Sequence, residues 1–229
     1  MELSAPGNHH QGKAFVTCAL CDRRKEKRFC LAVHGRICPQ CCGEQREVTL
    51  DCPSECPYLQ QARQHDRRRA DDVPAEEVFP EVEVSAQFMH DHEPLAIGIL
   101  HTIAKLSRAD RSLTDRDVSG ALANMAKSYR TLVGSGLFYQ ESLPNLVQQS
   151  LIESIETLLK EVEQQHLGYS SWKNSDVLKA LVWILRLMPL HSSGRPRSRG
   201  FLDFLKELFP DVPPGLTAAE ESSRRIILS

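Results

Sequence analysis

The chain has 229 residues, of which 41% are hydrophobic and 25% are charged, and its formal net charge is −2. These fractions lie in the range of globular proteins and exclude a wholly disordered chain. The length fits one large domain, or a small domain followed by a medium-sized one.

Charge is distributed unevenly along the chain. Residues 1–70 hold 12 lysines and arginines against 8 acidic residues, whereas residues 71–229 hold 16 against 22. This asymmetry predicts a basic N-terminal module carried by an acidic body. The basic excess is too small to imply nucleic-acid binding by itself.

The N-terminal stretch has no basic start followed by a long apolar segment, so we predict no secretory signal, and we expect residues 1–13 to be disordered. The most apolar run, residues 177–190, carries Lys179 and Arg186 and is too short to span a bilayer. We therefore expect a cytoplasmic protein that does not associate with membranes.

All eight cysteines lie within a module predicted over residues 14–70. A reducing compartment favours metal ligation over disulfides for such a cluster. The pattern C-x2-C-x16-C-x2-C fits a four-cysteine zinc site, because each C-x2-C turn can point two sulfurs at one ion. We expect Pro39 to favour the second turn and Gly43 to leave it in a left-handed conformation. The predicted ligands of site 1 are Cys18, Cys21, Cys38 and Cys41.

Four cysteines remain, which is the number that a second closed site needs. Adjacent residues of an extended chain point to opposite sides, so Cys41 and Cys42 are predicted to serve different ions. Cys38 could exchange roles with either of them, and His34 could replace Cys30 as a ligand. The predicted ligands of site 2 are Cys30, Cys42, Cys52 and Cys56.

Closed four-cysteine sites are normally structural, so we predict two Zn²⁺ ions that stabilise the module without chemistry. An iron-sulfur cluster is the main alternative, although the ferredoxin-type run of closely spaced cysteines is missing. Buried free thiols are a further alternative. A thioredoxin-like dithiol is another, but neither C-x2-C pair opens a helix in a βαβ pattern.

We predict a zinc-ribbon or treble-clef-like module with short strands at residues 13–18, 27–33 and 46–50. A helix beginning near Pro53 or Pro57 should follow, with a basic end. Its arginines and those of residues 23–28 could face phosphates, or could form a solvated surface. The candidate nucleic-acid contacts are Arg23, Arg24, Lys25, Arg63, Arg67, Arg68 and Arg69.

Residues 71–92 are predicted to form an acidic linker, because residues 71–87 contain six acidic residues, two prolines and no basic residue. Helix is not expected over residues 71–87. The residues Val82 and Val84 could add one short strand, or could dock together with Val78 and Phe79 across the body.

Beyond the linker the apolar residues recur at helical spacing, which predicts a bundle of four to five helices over residues 93–210. One helix should begin at a capping box formed by Thr114 and Asp117. Another should end near Gly168, and a flexible tail should occupy residues 211–229. The predicted fold is thus mainly α, with a small cysteine-rich module at its N-terminus.

Two segments of the body could hold a catalytic metal. One is His90–Glu93, in the sequence MHDHE, although a polar hinge between the linker and the first helix explains it better, because no partner motif lies at a known spacing. The other is Glu163 with His166, which matches half of a di-iron motif and lacks a second copy. We interpret His101 as a partly buried histidine rather than a general base.

Other catalytic patterns are absent from the body. Residues 133–139 lack the Gly-Lys-Ser/Thr ending of a P-loop, and no G-x-S-x-G elbow occurs. Arg195, Arg197 and Arg199 lie in a Gly/Pro/Ser-rich loop that could clamp phosphate or act as a flexible connection.

These patterns predict a zinc-binding protein without enzymatic activity, acting as an interaction, adaptor or regulatory protein for a protein partner. In this interpretation the module presents a rigid surface, and the helices supply a second binding or oligomerising surface. The alternatives are a nucleic-acid-binding zinc protein, an iron-sulfur or thiol redox sensor, and a metal-dependent enzyme in the helical body.

Overall fold

The computed structural model describes residues 17–70, 78–137, 139, 145–165 and 172–210, with only the backbone described for 67–70 and 165. Within these residues the protein is mainly helical, with eight α-helices and one two-stranded sheet. The chain divides into two compact units, one running to Leu59 and the other starting at Gln60.

The first unit contains a short antiparallel hairpin. Strand β1 (Arg28–Cys30) pairs with β2 (Gly35–Ile37), so that Cys30 lies opposite Gly35. The connecting turn includes His34 at a φ of 48°. The position of β1 falls inside a predicted strand. In contrast, β2 was not predicted, because Gly35 and Arg36 leave Ile37 as its one apolar residue, so no alternating pattern is visible.

A seven-residue helix, α1 (Pro39–Gln45), follows the hairpin directly. The sulfur of Cys38 caps it by accepting a hydrogen bond from the backbone N–H of Cys41, and Pro39 is tolerated in the first turn, where its missing N–H is not needed. The prediction of an extended chain at Cys41 and Cys42 is therefore wrong. So is the left-handed conformation predicted for Gly43, which lies inside the helix.

The remaining part of the first unit is largely irregular. The strand predicted over residues 46–50 does not form, and only an isolated bridge joins Arg46 to Leu50. Of the strand predicted over residues 13–18, the part up to residue 16 lies outside the described residues, and Thr17 makes a single bridge to Lys25. Helix α2 (Pro57–Ala70) begins at one of the two predicted prolines.

Beyond α2, the described part of the second unit consists of six α-helices and one short 3-10 turn at Met188–Leu190. Helix α5 packs against α6 and α7, whereas α4 packs against α6, α7 and α8. The helices are α3 (Ala86–Asp91), α4 (Glu93–Ala109), α5 (Asp115–Ser135), α6 (Leu146–Gln165), α7 (Asn174–Leu187) and α8 (Gly200–Leu208).

The apolar residues that show helical spacing in the sequence are those that form the core. Leu95, Ile99 and Ile103 of α4 are fully buried, as are Val118 and Leu122 of α5. The capping box predicted at the start of α5 is present, with Thr114 and Asp117 bonded to each other's backbone N–H. Local sequence chemistry therefore specifies where this helix starts.

The acidic segment before α3 is docked on the helices. Val82 is buried in the core, and the guanidinium of Arg186 donates to the carbonyl oxygens of Val78, Phe79 and Val82 at 2.8–3.0 Å. Its described residues, 78–85, form no strand, and α3 begins at Ala86, inside the stretch for which no helix was predicted. These findings match the docked alternative.

The predicted mainly helical fold with an N-terminal cysteine cluster is confirmed. The zinc-ribbon or treble-clef-like class, the four-to-five-helix bundle and the domain boundaries stay predictions. Residues 1–13, Gly168 and residues 211–229 lie outside the described residues. Among the described helices, none is sufficiently long and apolar to cross a membrane.

Candidate metal centre

Two short segments of the first unit bring four cysteines together. Cys18 and Cys21 lie in the turn before β1, and Cys38 and Cys41 lie at the start of α1. Their sulfur atoms all lie within 4.8 Å of one another. Within the described ranges, this is the one group of three or more potential ligand side chains that is gathered so closely.

Backbone hydrogen bonds fix the turn that carries Cys18 against the hairpin. The N–H of Cys18 donates to the carbonyl of Arg24 at 2.9 Å, and the N–H of Ala19 donates to that of Arg36 at 2.9 Å. Within the turn, the N–H of Asp22 donates to the carbonyl of Cys18 at 2.8 Å. The segment that carries Cys18 and Cys21 is thus positioned by main-chain contacts that do not involve the sulfurs.

Backbone N–H groups also point at the sulfurs themselves. The N–H of Cys38 lies 3.2 Å from the Cys18 sulfur, and the N–H of Cys41 lies 3.4 Å from the Cys38 sulfur. Hydrogen bonds to a thiolate stabilise its charged form, and the N-terminal end of α1 adds a favourable dipole. The surroundings therefore favour anionic sulfur, which is the form that binds metals.

The thiols influence one another strongly. The hydrogen bond from the backbone of Cys41 is the main cause that lowers the pKa of Cys38 to about 6, whereas the contact with Cys38 raises the pKa of Cys41 to about 12. For Cys18, burial raises the pKa, but hydrogen bonds led by the N–H of Cys38 outweigh it, so the pKa is lowered. Four thiolates cannot coexist so closely without a cation, and a divalent metal would remove this conflict.

A positive charge already lies beside the quartet. The Nη1 atom of Arg24 is 3.8 Å from the sulfur of Cys38 and 3.9 Å from that of Cys41. The contact with Cys38, opposed by burial, raises the pKa of Arg24, so the guanidinium stays charged. Arg24 was predicted to be a nucleic-acid contact, because nothing in a basic run of sequence distinguishes the one arginine that folds back onto sulfur.

The other four cysteines lie outside this quartet. Cys30 ends β1, Cys42 lies on α1, and Cys52 and Cys56 lie in the irregular segment before α2. Three of them are buried and Cys52 is half-buried. His34, the predicted substitute ligand, is exposed in the hairpin turn.

The predicted nucleic-acid contacts do not all share one environment. Arg23 and Lys25 are exposed in the first unit. In the second unit, Arg63 forms an ion pair with Asp203, with 2.7 Å between Nη1 and Oδ2 and both side chains mostly buried. The side chains of the other three, Arg67, Arg68 and Arg69, lie outside the described residues.

The candidate metal ligands of the helical unit do not gather. His92 stacks on Phe88 and lies 3.5 Å from a carboxylate oxygen of Asp176, whereas His90 is exposed. Glu163 is exposed, and His166 lies outside the described residues. His101 is exposed rather than partly buried, and its ring meets the edge of Phe209.

The arginine-rich loop before α8 is ordered by specific contacts. Arg199 donates to the carbonyl oxygens of Ser107, Arg111 and Leu113 around the end of α4. Ser198 is fully buried and donates to Asp115 at 2.7 Å. Arg199 is therefore a structural residue, and the flexible connection expected here is wrong.

A surface groove of about 900 Å³ runs beside this loop. Its lining includes Arg116, Gln148, Met188 and Arg195. Asp115 also borders it, but the carboxylate is buried and accepts from the N–H groups of Phe201 and Leu202. The buried acidic group is thus occupied in capping α8.

The chain was also compared with known proteins. No protein-family model matches it, and no curated protein or solved structure is significantly similar to it.

Proposed function

We propose that Cys18, Cys21, Cys38 and Cys41 bind one zinc ion that folds the first unit, and that this unit serves as an interaction module of a protein without enzymatic activity. The observation that supports the zinc site is the close gathering of four sulfurs in positions fixed by main-chain hydrogen bonds. Four thiolates satisfy the tetrahedral preference of zinc.

A structural role follows from the composition of the ligand set. Four protein ligands leave no open position for water or substrate, so the ion would contribute folding free energy rather than catalysis. The eight free thiols fit a reducing compartment such as the cytoplasm. There, zinc would stay bound to reduced cysteines.

The interaction role is supported by the surface of the hairpin. Phe29 on β1 is 52% exposed, and Val48, in the segment after α1, is 39% exposed. Aromatic side chains are enriched at protein interfaces, because they bury a large apolar area at small entropic cost. A rigid hairpin carrying an exposed phenylalanine suits a protein partner with an apolar pocket.

Elemental analysis of anaerobically purified protein tests the metal. We expect zinc in the wild-type protein and the loss of one zinc per chain in the double variant Cys18→Ser/Cys41→Ser. The control His101→Gln, which alters an exposed residue of the other unit, should keep the wild-type content. Bound iron with visible colour, or unchanged zinc in the double variant, would overturn the proposed site.

The interaction role needs a separate test. Affinity capture with quantitative mass spectrometry should enrich specific proteins with the wild type and lose them with Phe29→Ser. The control Leu208→Ser changes a comparably exposed apolar residue in the helical unit and should retain them. Equal capture by wild type and Phe29→Ser would show that the hairpin is not the contact surface.

A further inference from the structure

The first unit contains a second set of four cysteines that the quartet leaves unused. Cys30, Cys42 and Cys56 are 8%, 7% and 8% exposed, so three of these four thiols are nearly excluded from water. We propose that Cys30, Cys42, Cys52 and Cys56 hold a second zinc ion. This proposal goes beyond the site proposed above, whose ligands it does not share.

The geometry of α1 separates the two sets. Successive residues of an α-helix project about 100° apart, so Cys41 and Cys42 face different directions. Cys41 belongs to the gathered quartet and Cys42 does not, yet both are buried. The helix therefore still allows these neighbours to serve different ions, as the sequence predicts.

Three members of the second set belong to, or pack against, the buried cluster of the first unit that also contains cysteines of the quartet. Cys30 and Cys42 belong to one buried cluster with Ile37 and Leu50, and Cys52 packs against that cluster. Cys56 directly precedes α2, just as Cys38 directly precedes α1, and in both places a proline follows. Both sets thus have one cysteine at the N-terminal end of a helix.

The surroundings of Cys52 support this arrangement. Cys30, Cys56 and Glu47 lie close enough to the Cys52 thiol to interact with it electrostatically. The backbone N–H of Glu47 donates a hydrogen bond to the Cys52 sulfur. Three cysteines of the set thus lie near one another, and a cation would relieve the repulsion between their thiolates.

These four sulfurs are not gathered as closely as those of the quartet. Zinc–sulfur bonds of about 2.3 Å would draw them together around the ion. The irregular segment at residues 46–56 supplies two of the ligands. We therefore expect metal binding to contract this segment onto β1 and α1.

The second ion would also explain how this segment stays folded. The ligands of the quartet end at Cys41, so they do not hold the chain that follows α1. Apart from the cysteines, only three apolar side chains of the described first unit are buried, Ile37, Leu50 and Leu59. Such a small core rarely stabilises a module of this size without metals or disulfides.

Metal stoichiometry in the full-length protein tests the proposal. Native mass spectrometry and elemental analysis should find two zinc ions per chain in the wild type. The double variant Cys52→Ser/Cys56→Ser should keep one, bound by the quartet. One zinc in the wild type, unchanged in this variant, would overturn the second site and leave the first intact.

A rescue variant distinguishes ligation from packing. Histidine can bind zinc through a ring nitrogen, whereas the serine hydroxyl is a poor zinc ligand. Cys52→His should therefore restore the second zinc that Cys52→Ser loses. Alkylation of the native protein should then modify Cys56 in Cys52→Ser and not in the wild type. Rapid alkylation of Cys52 and Cys56 in the zinc-loaded wild type would contradict the proposal, because it would show that both thiols are free.

Discussion

The guanidinium of Arg24 contacts the sulfur of Cys38, with 3.8 Å between Nη1 and Sγ. A site of four thiolates and one divalent ion carries a net charge of −2, and this cation lies directly beside it. Arg24 therefore compensates charge at the proposed zinc site without being a ligand.

Replacing Arg24 with glutamine should weaken zinc binding, because the thiolates lose a positively charged neighbour. Loss of a side chain that contacts the ligands without binding the metal typically lowers metal affinity by a factor of about 10–100. Zinc transfer to a chromophoric chelator measures the effect, with Arg23→Gln as the matched control from the same basic run. Equal transfer from both variants would mean that the contact is electrostatically unimportant.

Removing zinc with a chelator should unfold the first unit and leave the helical unit folded. The core of the second unit is built from helices that contain none of the cysteines. Hydrogen exchange should therefore increase over residues 17–56, while α4, α5 and α7 keep their protection. An unchanged exchange pattern in the first unit would show that its fold does not depend on metal.

Asp115 should be important for the stability of the helical unit. Its buried carboxylate accepts hydrogen bonds from Ser198 and from the N–H groups of Phe201 and Leu202. Asp115→Ala leaves these donors unsatisfied and should cost about 2–4 kcal/mol in the free energy of unfolding. Urea denaturation measures the change, with Arg116→Ala on the exposed side of the same helix as the control.

Asp115 should also make the free energy of unfolding of the helical unit depend on pH. Burial raises the pKa of Asp115, although hydrogen bonds from Ser198 and the start of α8 oppose the shift. The folded state then binds the carboxyl proton of Asp115 more tightly than the unfolded state does. The stabilisation that Asp115 contributes is therefore largest at low pH. It falls as pH rises above 3.8, the ordinary value, through the raised folded pKa. The difference in unfolding free energy between wild type and Asp115→Asn should decrease over that window.

Arg186 should hold the acidic segment on the helices. Arg186→Met keeps most of the apolar stem but loses three hydrogen bonds to main-chain carbonyls, which should cost about 2 kcal/mol or more. Limited proteolysis should then cut near residues 78–84 faster than in the wild type. Cleavage at the same rate would indicate that the buried Val82 suffices to dock the segment.

Gly200 should not tolerate a side chain. A Cβ atom at this position would overlap the carbonyl oxygen of His191, so Gly200→Ala requires the backbone to shift and should cost about 1–3 kcal/mol. Gly134, in α5, has open space around it. Gly134→Ala should therefore be neutral or stabilising by up to about 1 kcal/mol, and thermal denaturation distinguishes the two variants.

Periodicity and capping chemistry were sufficient to predict the long helices. The spacing of Leu95, Ile99 and Ile103, and the capping box at Thr114, are local signals that the folded helices retain. Helix α1 gave no such signal, since it has seven residues and two of them are cysteines. Its start depends on the sulfur of Cys38 acting as an N-cap, and cysteine is not among the residue types that usually mark the start of a helix.

The quartet of sulfurs was predictable because both pairs have the spacing that a shared ion requires. The contact between Arg24 and the sulfurs was not, because it depends on how the turn folds back on α1. The contacts of Arg199 and Asp115 were not predicted for the same reason, because their partners lie 83–92 residues away in the chain. Long-range polar contacts of this kind leave no pattern in one sequence.

The fully buried Phe201, Leu202 and Leu205 lie on α8, the last helix that the structure describes. During synthesis on the ribosome, the cysteine-rich segment emerges more than a hundred residues before them. The first unit could therefore bind its proposed zinc while the chain is still growing. The core of the helical unit stays incomplete, and exposed to chaperones, until α8 has left the exit tunnel.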